Sequence, residues 1–467
     1  MYLSSFALRG IKCFDAATFE FPRRRDGRHA GWHVLLGANA TGKSTALQAM
    51  AVSLIGPSAW APLITPVGWV RSEARHDVGA FEAVITKGPQ DVADRAQKGP
   101  FTAKVTVTPD APVEVHGESF DTPQFVPAPR HKAALLKSVY ATKKRGWFAC
   151  GYGPFRRLSG GSYEALTNLS LPRQHRTASL FREAIALTQC EPWLRDLHHR
   201  ASDLDDPAHA QHARTFEAIK DVVNALLPGG VRLDEVSARG VRFATAGGRR
   251  VALADLSDGY RSFLALVLDI LRHLVDANDG DLNGLTSQHK EQGEARTRVT
   301  VEGVVLIDEV DAHLHPRWQR EIGHMLQAAF PNVQFIVSSH SPFVAQAASD
   351  GGLFVLRPAA GSDAVEVVRP VETVRGWRAE AILTSELFGL EDTVDVETEA
   401  LLADYRALSG KRALKKLTPA ERRKLDALES QLARALTAPG ESREEYVLRQ
   451  DAEAYIQKTL REIKSAG

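Results

Sequence analysis

The sequence predicts an α/β fold built around a parallel sheet, and three apolar runs that end abruptly in polar residues carry the prediction. The first, "WHVLL", enters the glycine-containing turn "GANATGKS" at Gly37, and the helical run "TALQAMAVSLI" follows. The second, "GVVLIDEVDAHLHP", ends in Asp308 and Glu309, and the third, "VQFIVSSHSP", ends in Ser338, Ser339 and His340.

The remaining elements follow in order. Tyr2 to Leu8 and Thr18 to Phe21 alternate apolar and polar residues as a hairpin does, and the basic turn "PRRRDGRHAG" leads from them to "WHVLL". From about Trp60 to Pro228, β-like pieces such as "AKVTVTP" give way to helical runs such as "ASLFREAIAL" and "TFEAIKDVVNALL". This change of character reads as an inserted α+β lobe over residues 61–230, between a first core segment (1–60) and a second (231–370). In the second segment a hairpin-like stretch, "VRLDEVSARGVRFATAGGRRVALADL", leads to a long helix from Gly259. That helix carries Phe263, Val267, Ile270, Leu271 and Leu274 on one face. The polar stretch "DANDGDLNGLTSQHKEQGEARTR" reads as a surface loop. Residues 371–467 read as a helical extension for oligomer or partner docking, with a helical hairpin through "ETEALLADYRALS" and "ERRKLDALESQLARAL" and a last amphipathic helix in "REEYVLRQDAEAYIQKTLREIK".

Composition narrows the class. The 467 residues, 44% hydrophobic and 25% charged, suit a soluble protein with two or three core-forming units. Lys and Arg number 58 against 57 Asp and Glu, so net charge argues neither for nor against nucleic acid. Cys13, Cys150 and Cys190 lie far apart without a CxxC pair, which argues against a disulfide framework or zinc ribbon and fits a reducing cytoplasm. No apolar run approaches a membrane span, so no membrane partner is expected.

Gly37 to Ser44 match GxxxxGK[ST] between a strand and a helix, the context that a phosphate-binding loop requires. Gly37 and Gly42 let the backbone around Asn39 and Thr45 turn its N–H groups toward a phosphate. Lys43 adds positive charge, and Ser44 offers a hydroxyl to Mg²⁺. Asp308, at the end of a buried strand, completes the Mg²⁺ shell. Glu309, one residue on, is placed to orient and deprotonate a water that attacks a γ-phosphate. ATP and Mg²⁺ are therefore the expected ligands.

Together these motifs resemble the ABC-type ATPase head, a P-loop NTPase, of proteins related to recombination and chromosome maintenance; the likeness covers about residues 1 to 370. The junctions "DEVDAHLHP" with "WQR", "FPNVQFIVSSHSP" and "LSDGYRS" look like the overcoming-lysogenization-defect/RecF-like group and the ATPase subunits of bacterial anti-phage systems such as Septu. The resemblance implies that His340 contacts the γ-phosphate and that a signature motif opens the helix leading to the second strand. Two strings compete for that motif, Leu158 to Ser162 ("LSGGS") and Leu256 to Tyr260 ("LSDGY"). Only the second opens a long apolar-faced helix with the carboxylate strand next, which assigns the role to Ser257 and Gly259.

A signature acts on ATP held by a facing subunit, so the resemblance implies a homodimer or higher homo-oligomer joined through its ATP sites. The relatives also imply control of a nuclease effector. No strand cluster with paired carboxylates follows Pro370, and Asp392 and Asp395 read as a solvated helix start, so the nuclease is expected on a separate chain. The alternative is a RecF/SMC-like DNA-repair clamp, with DNA contact through "PRRRDGR", "KKR" from Lys143 or "ERRK" from Glu421. A transporter subunit ranks third, because Val310 to Pro316 differ from the transporter pattern after the catalytic Glu. Besides the missing nuclease, two local departures from the relatives stand out. Ala40 replaces a customary glycine. Arg156 or Arg157, in "FACGYGPFRR", stands where a glutamine is usual. His313 and His315 could suggest a metal site, but the more economical reading puts them in the interface loop after the carboxylates.

Overall fold

The computed structural model describes residues 1–60, 62–71, 78–93, 99–115, 118–141, 144–158, 169–278, 280, 282, 284–291, 294–371, 373–413 and 417–435. Internal contacts divide the chain into two units, Met1–Ile382 and Leu383–Gly467.

Eleven strands form the two larger sheets of the first unit among the described residues. They are β1 (Tyr2–Ile11), β2 (Phe14–Glu20), β3 (Gly31–Gly37), β4 (Gly79–Thr86), β5 (Phe101–Val115), β6 (Glu118–Pro127), β7 (Phe148–Tyr152), β8 (Gly303–Ile307), β9 (Val333–Ser339), β10 (Leu353–Pro358) and β11 (Val365–Val368). The central sheet runs β11-β10-β3-β9-β8-β7, parallel throughout except for β11. All residues of β7, β8 and β9 are buried, as strands covered on both faces must be, and this explains why apolar residues dominate them. Ile307 pairs with Val337 and Leu36 with Ser339, so the three predicted strand ends lie side by side.

The second sheet, β2-β1-β4-β5-β6, is antiparallel. Helix α1 (Lys43–Ile55) packs on both sheets. Leu47, Met50 and Val52 join one core with Phe6 and Phe81 of the antiparallel sheet and with Leu306 and Ile336 of the parallel one. A helix buried on nearly every side is apolar all round, and burying each of its larger side chains contributes about 1.5–3 kcal/mol.

The structure redistributes the expected 61–230 lobe. Strands β4, β5 and β6 extend the sheet begun by β1, and β7 closes an edge of the central sheet against β8. Alternating burial along β4 shows one face turned to the core, and its register with β1, through pairs such as Leu8 with Phe81, keeps the apolar residues on that face. The helices Cys190–Ser202 and His209–Leu226 pack against each other and against α2 (Asp258–Ala277), the predicted long helix.

The polar stretch after α2 is also corrected. Instead of an open loop, Thr286–Glu291 pairs antiparallel with Glu294–Val299. Its Thr297 hydroxyl donates to Asp221 at 3.0 Å, and Val299 is buried. A ribbon stabilised by polar cross-strand bonds leaves little apolar periodicity to read.

In the second unit, α4 (Val396–Ala413) and α5 (Pro419–Ala435) form the expected helical hairpin around Leu408, Leu425 and Leu428. Helix α3 (Pro316–Ala329) belongs to the first unit and follows the carboxylate strand. The expected last helix lies outside the described residues. Among the described residues no helix is long and apolar enough to cross a membrane.

His33 in β3 is fully buried, with Nε2 3.2 Å from the His29 carbonyl. Burial lowers its pKa from the usual 6.5 to about 4, only partly offset by that carbonyl. The unfolded chain therefore takes up a proton that the folded one refuses. Stability is fully present above pH 6.5 and falls as the pH drops toward 4, by up to about 3 kcal/mol. His33→Leu should flatten the decline of the melting temperature over this range; an unchanged slope in pH-dependent unfolding would contradict the assignment.

Candidate functional site

The loop between β3 and α1 closes through Gly42, whose φ of 83° is left-handed. A β-carbon there would lie 2.5 Å from Cys13 Sγ and 2.6 Å from the Phe14 ring, so only glycine allows the close approach. Ala40 is left-handed too, at φ 64°, and its β-carbon makes this turn cost about 1–2 kcal/mol more than glycine would. Lys43 is buried and donates from Nζ to the carbonyls of Gly37 and Ala38, both at 2.9 Å. Burial lowers its pKa, while Asp308, Glu309 and Asp311 act in the opposite sense. An ammonium has three donors, so one remains available to a ligand.

Asp308 and Glu309 leave the end of β8 in different environments. Asp308 is buried and accepts a hydrogen bond from Ser338 Oγ, which in turn accepts the Glu309 backbone N–H at 2.7 Å. Glu309 is exposed and holds a left-handed φ of 45°. Arg156 braces this turn. Its Nη1 donates to the carbonyls of Gly153 and Asp308, both at 2.9 Å, and its Nη2 donates to Glu309 at 3.0 Å. Burial pulls the guanidinium down to about 10, against the attraction of Asp311, Asp308 and Glu309. Of the two arginines expected near this place, Arg156 is thus committed to the backbone that carries the carboxylates. Gln319, one turn into α3, continues the bracing: it donates to the Leu314 carbonyl at 2.9 Å and accepts from the Ser341 hydroxyl at 2.8 Å.

Asn39, Gly42, Lys43, Ser44, Thr45, Glu309 and His340 line one cavity of about 280 Å³. Gly37 and Asp308 stand just behind it: the Gly37 carbonyl holds Lys43, and Asp308 precedes Glu309. The His340 pKa is lowered by burial and then by Lys43, with Asp311, Glu309 and Asp308 opposing. Lys12 and Cys13, from the turn between β1 and β2, also line the cavity. Sequence reading passed over them because "GIKCF" carries no phosphate-loop signal. Ser338 was read only as a strand end, although a hydroxyl in a fully buried apolar strand marks a position with a polar task.

Ser257 and Gly259 do not line this cavity. Ser257 is the N-cap residue of α2, but its side chain makes no capping bond and is exposed. Gly259 lets the first turn of α2 approach the His313 carbonyl, 3.1 Å from where a β-carbon would stand. Tyr260 and Phe263 pack edge-on against Trp318 of α3, with ring centroids 4.4 and 5.7 Å apart. The segments "LSDGYRS" and "HLHPRWQR" therefore form one packed unit. His315 caps α3 by accepting the Arg317 N–H. The competing string at Ser159 lies outside the described residues.

The profile of the family described as "AAA domain, putative AbiEii toxin, Type IV TA system" matches residues 33–345, well over half of the chain. The chain belongs to this family. The match spans the phosphate loop, the carboxylates and His340, and it gives the fold its class: a nucleotide-binding P-loop ATPase head. The Septu protein PtuA of Bacillus mycoides (strain KBAB4) is 27% identical over 382 residues, covering 82% of this chain. The chain spans 44% of that relative's length. The Retron Vc95 probable ATPase of Vibrio cholerae serotype O1 biovar El Tor is 42% identical over 97 residues, 21% of this chain and 16% of that one. Among solved structures, the SMC head domain from Thermotoga maritima aligns with a TM-score of 0.40 at 15% identity, covering 80% of this chain and 100% of that one.

Because Arg156 satisfies several buried carbonyls of this family member, Arg156→Gln should destabilise the fold by about 3 kcal/mol. Chemical denaturation reads this directly, and a loss below about 0.5 kcal/mol would mean that the brace is dispensable.

Proposed function

We propose that this chain is the ATP-binding and ATP-hydrolysing subunit of a cytoplasmic anti-phage defence complex, acting as an ATP-sandwiched homodimer or higher homo-oligomer that assembles or controls a separate nuclease effector. The observation that carries the ATPase reading is the convergence of Lys43, Ser44, Glu309 and His340 on one cavity. Similarity to a Septu protein and to retron ATPases supports the defence role.

The residues divide the chemistry. The N–H groups of the loop and Lys43 hold the phosphate chain at the start of α1. Ser44 makes no hydrogen bond to the described residues, and Asp308 accepts one only on Oδ1, so both keep oxygens suited to Mg²⁺. When bound, Mg²⁺ offsets the negative charge of the phosphates. Glu309 accepts the proton of the attacking water, its turn fixed by Ser338 and Arg156. His340 donates a ring N–H toward the γ-phosphate. Ser257 and the exposed first turn of α2 serve the nucleotide of the facing subunit.

A second reading, the RecF/SMC-like DNA clamp, is favoured by one observation. Arg23, Arg24, Arg25 and Arg375 line a cavity of about 470 Å³ beside Gly31 and Val333, at the opposite ends of β3 and β9 from the phosphate loop. ATP-dependent DNA binding by the isolated protein, weakening steeply with salt, would support that reading.

Lys43→Ala should lose nucleotide binding. Glu309→Gln should bind ATP and hydrolyse it at least about 100-fold more slowly. Ser257→Arg should abolish turnover while Ser159→Arg largely spares it. Phosphate-release assays check all four variants, and rates equal to wild type for Lys43→Ala and Glu309→Gln would refute the site. Capture of partners on tagged Glu309→Gln protein with ATP tests the defence role: a nuclease supports it, and DNA or recombination proteins without a nuclease favour the clamp.

A further inference from the structure

Away from the phosphate loop, α2 and the segment that follows β7 enclose a cavity of about 340 Å³. On the α2 side its polar groups satisfy one another. Asp269 Oδ1 lies 2.7 Å from Arg272 Nη2, and Asp269 Oδ2 lies 3.3 Å from His273 Nε2. Burial pushes the Asp269 pKa up, but His273 and Arg272 outweigh it and hold the carboxyl well below the usual range. The Asp269 charge is therefore already engaged, and Cys190 Sγ also lies 3.7 Å from its Oδ1.

Arg176, on the opposite wall, has no such counterpart. It is only 8% exposed, its guanidinium lies over the Phe148 ring at 5.6 Å, and its Nε is buried without a partner. Its side chain makes no hydrogen bond or ion pair with the described residues. A guanidinium stays charged at any physiological pH, so burial without an anion is costly, and its planar fork suits the paired oxygens of a phosphate or carboxylate. Ile185 and Leu187 give the same cavity an apolar side. Asp276, half-exposed at the α2 end and 4.0 Å from His273, would repel a multiply charged chain.

We propose that this cavity binds a small molecule bearing a single phosphate or carboxylate group, its anion on Arg176 and its body against Ile185 and Leu187. The position makes it an effector site. The Arg176 carbonyl accepts the Gly151 N–H of β7 at 2.8 Å, and Tyr152, the next residue in β7, accepts the Asp308 N–H at 2.8 Å. A ligand here would tie α2, which begins at Ser257, to the strand that supports the carboxylate turn.

The site stands apart from the ATPase reading, because its test uses the full chain carrying Lys43→Ala to silence the phosphate loop. Calorimetric titration with phenyl phosphate and with benzoate probes the two anion classes on a common apolar body. Saturable binding of either, tighter than that of inorganic phosphate, is expected, and the tighter of the two names the class. Adding Arg176→Gln should weaken binding by at least about tenfold, with Arg176→Lys intermediate. Leu187→Trp, which fills the apolar side and leaves Arg176 in place, should also weaken it. No saturable binding, or binding indifferent to both Arg176→Gln and Leu187→Trp, overturns the proposal. If Arg176→Gln fails to fold, crystals of the Lys43→Ala protein soaked in selenate decide: an anomalous peak beside the Arg176 guanidinium supports the site, and its absence overturns it.

Discussion

The insertion of β9 between β3 and β8 is the constraint on which the rest depends. Its parallel register sets Ser339 against Leu36 and Val337 against Ile307, so the phosphate loop, the carboxylate pair and His340 leave the sheet at one edge. Groups separated by more than 260 positions in sequence become neighbours because three buried strands share a direction. Open parallel sheets gather ligands at the carboxyl ends of their strands for this reason.

A second layer of interactions converts that edge into a defined site. Ser338 bridges the Asp308 carboxylate and the Glu309 N–H, and Arg156 gathers the carbonyls of the same turn. The left-handed backbone of Glu309 is held by these bonds. The packing of Tyr260 and Phe263 on Trp318 then joins the start of α2 to the helix that follows the carboxylates. A shift in either helix is therefore felt by the other.

The parts of the site that were legible before the structure share one property: their signal is local. Lys43, Ser44, Asp308 and Glu309 belong to short motifs that follow apolar strands, whereas His340 stands out through the family resemblance. Lys12 and Cys13 line the same cavity from a distant hairpin, and nothing in "GIKCF" announces that neighbourhood. The region read as a separate lobe over 61–230 shows the same limit. Its composition does change, yet β4 and β7 owe their places to partners in β1 and β8, and pairing between remote strands leaves no periodicity in either.

By itself, the sequence determined the local elements: the strand, loop and helix around Lys43, the buried strand that ends in Asp308 and Glu309, the long helix expected from Gly259 and the helical hairpin after residue 383. Hydrophobic periodicity and short motifs suffice there because neighbours in sequence do the work. Tertiary structure alone decided how those pieces face one another: Arg156 as a backbone brace, Ser338 as a bridge, Arg176 Nε buried without a hydrogen-bond partner among the described residues, and a polar stretch drawn into a ribbon. Each of these depends on which remote groups a fold brings within a few ångströms, and a side chain's partner is set by that proximity rather than by its place in the chain.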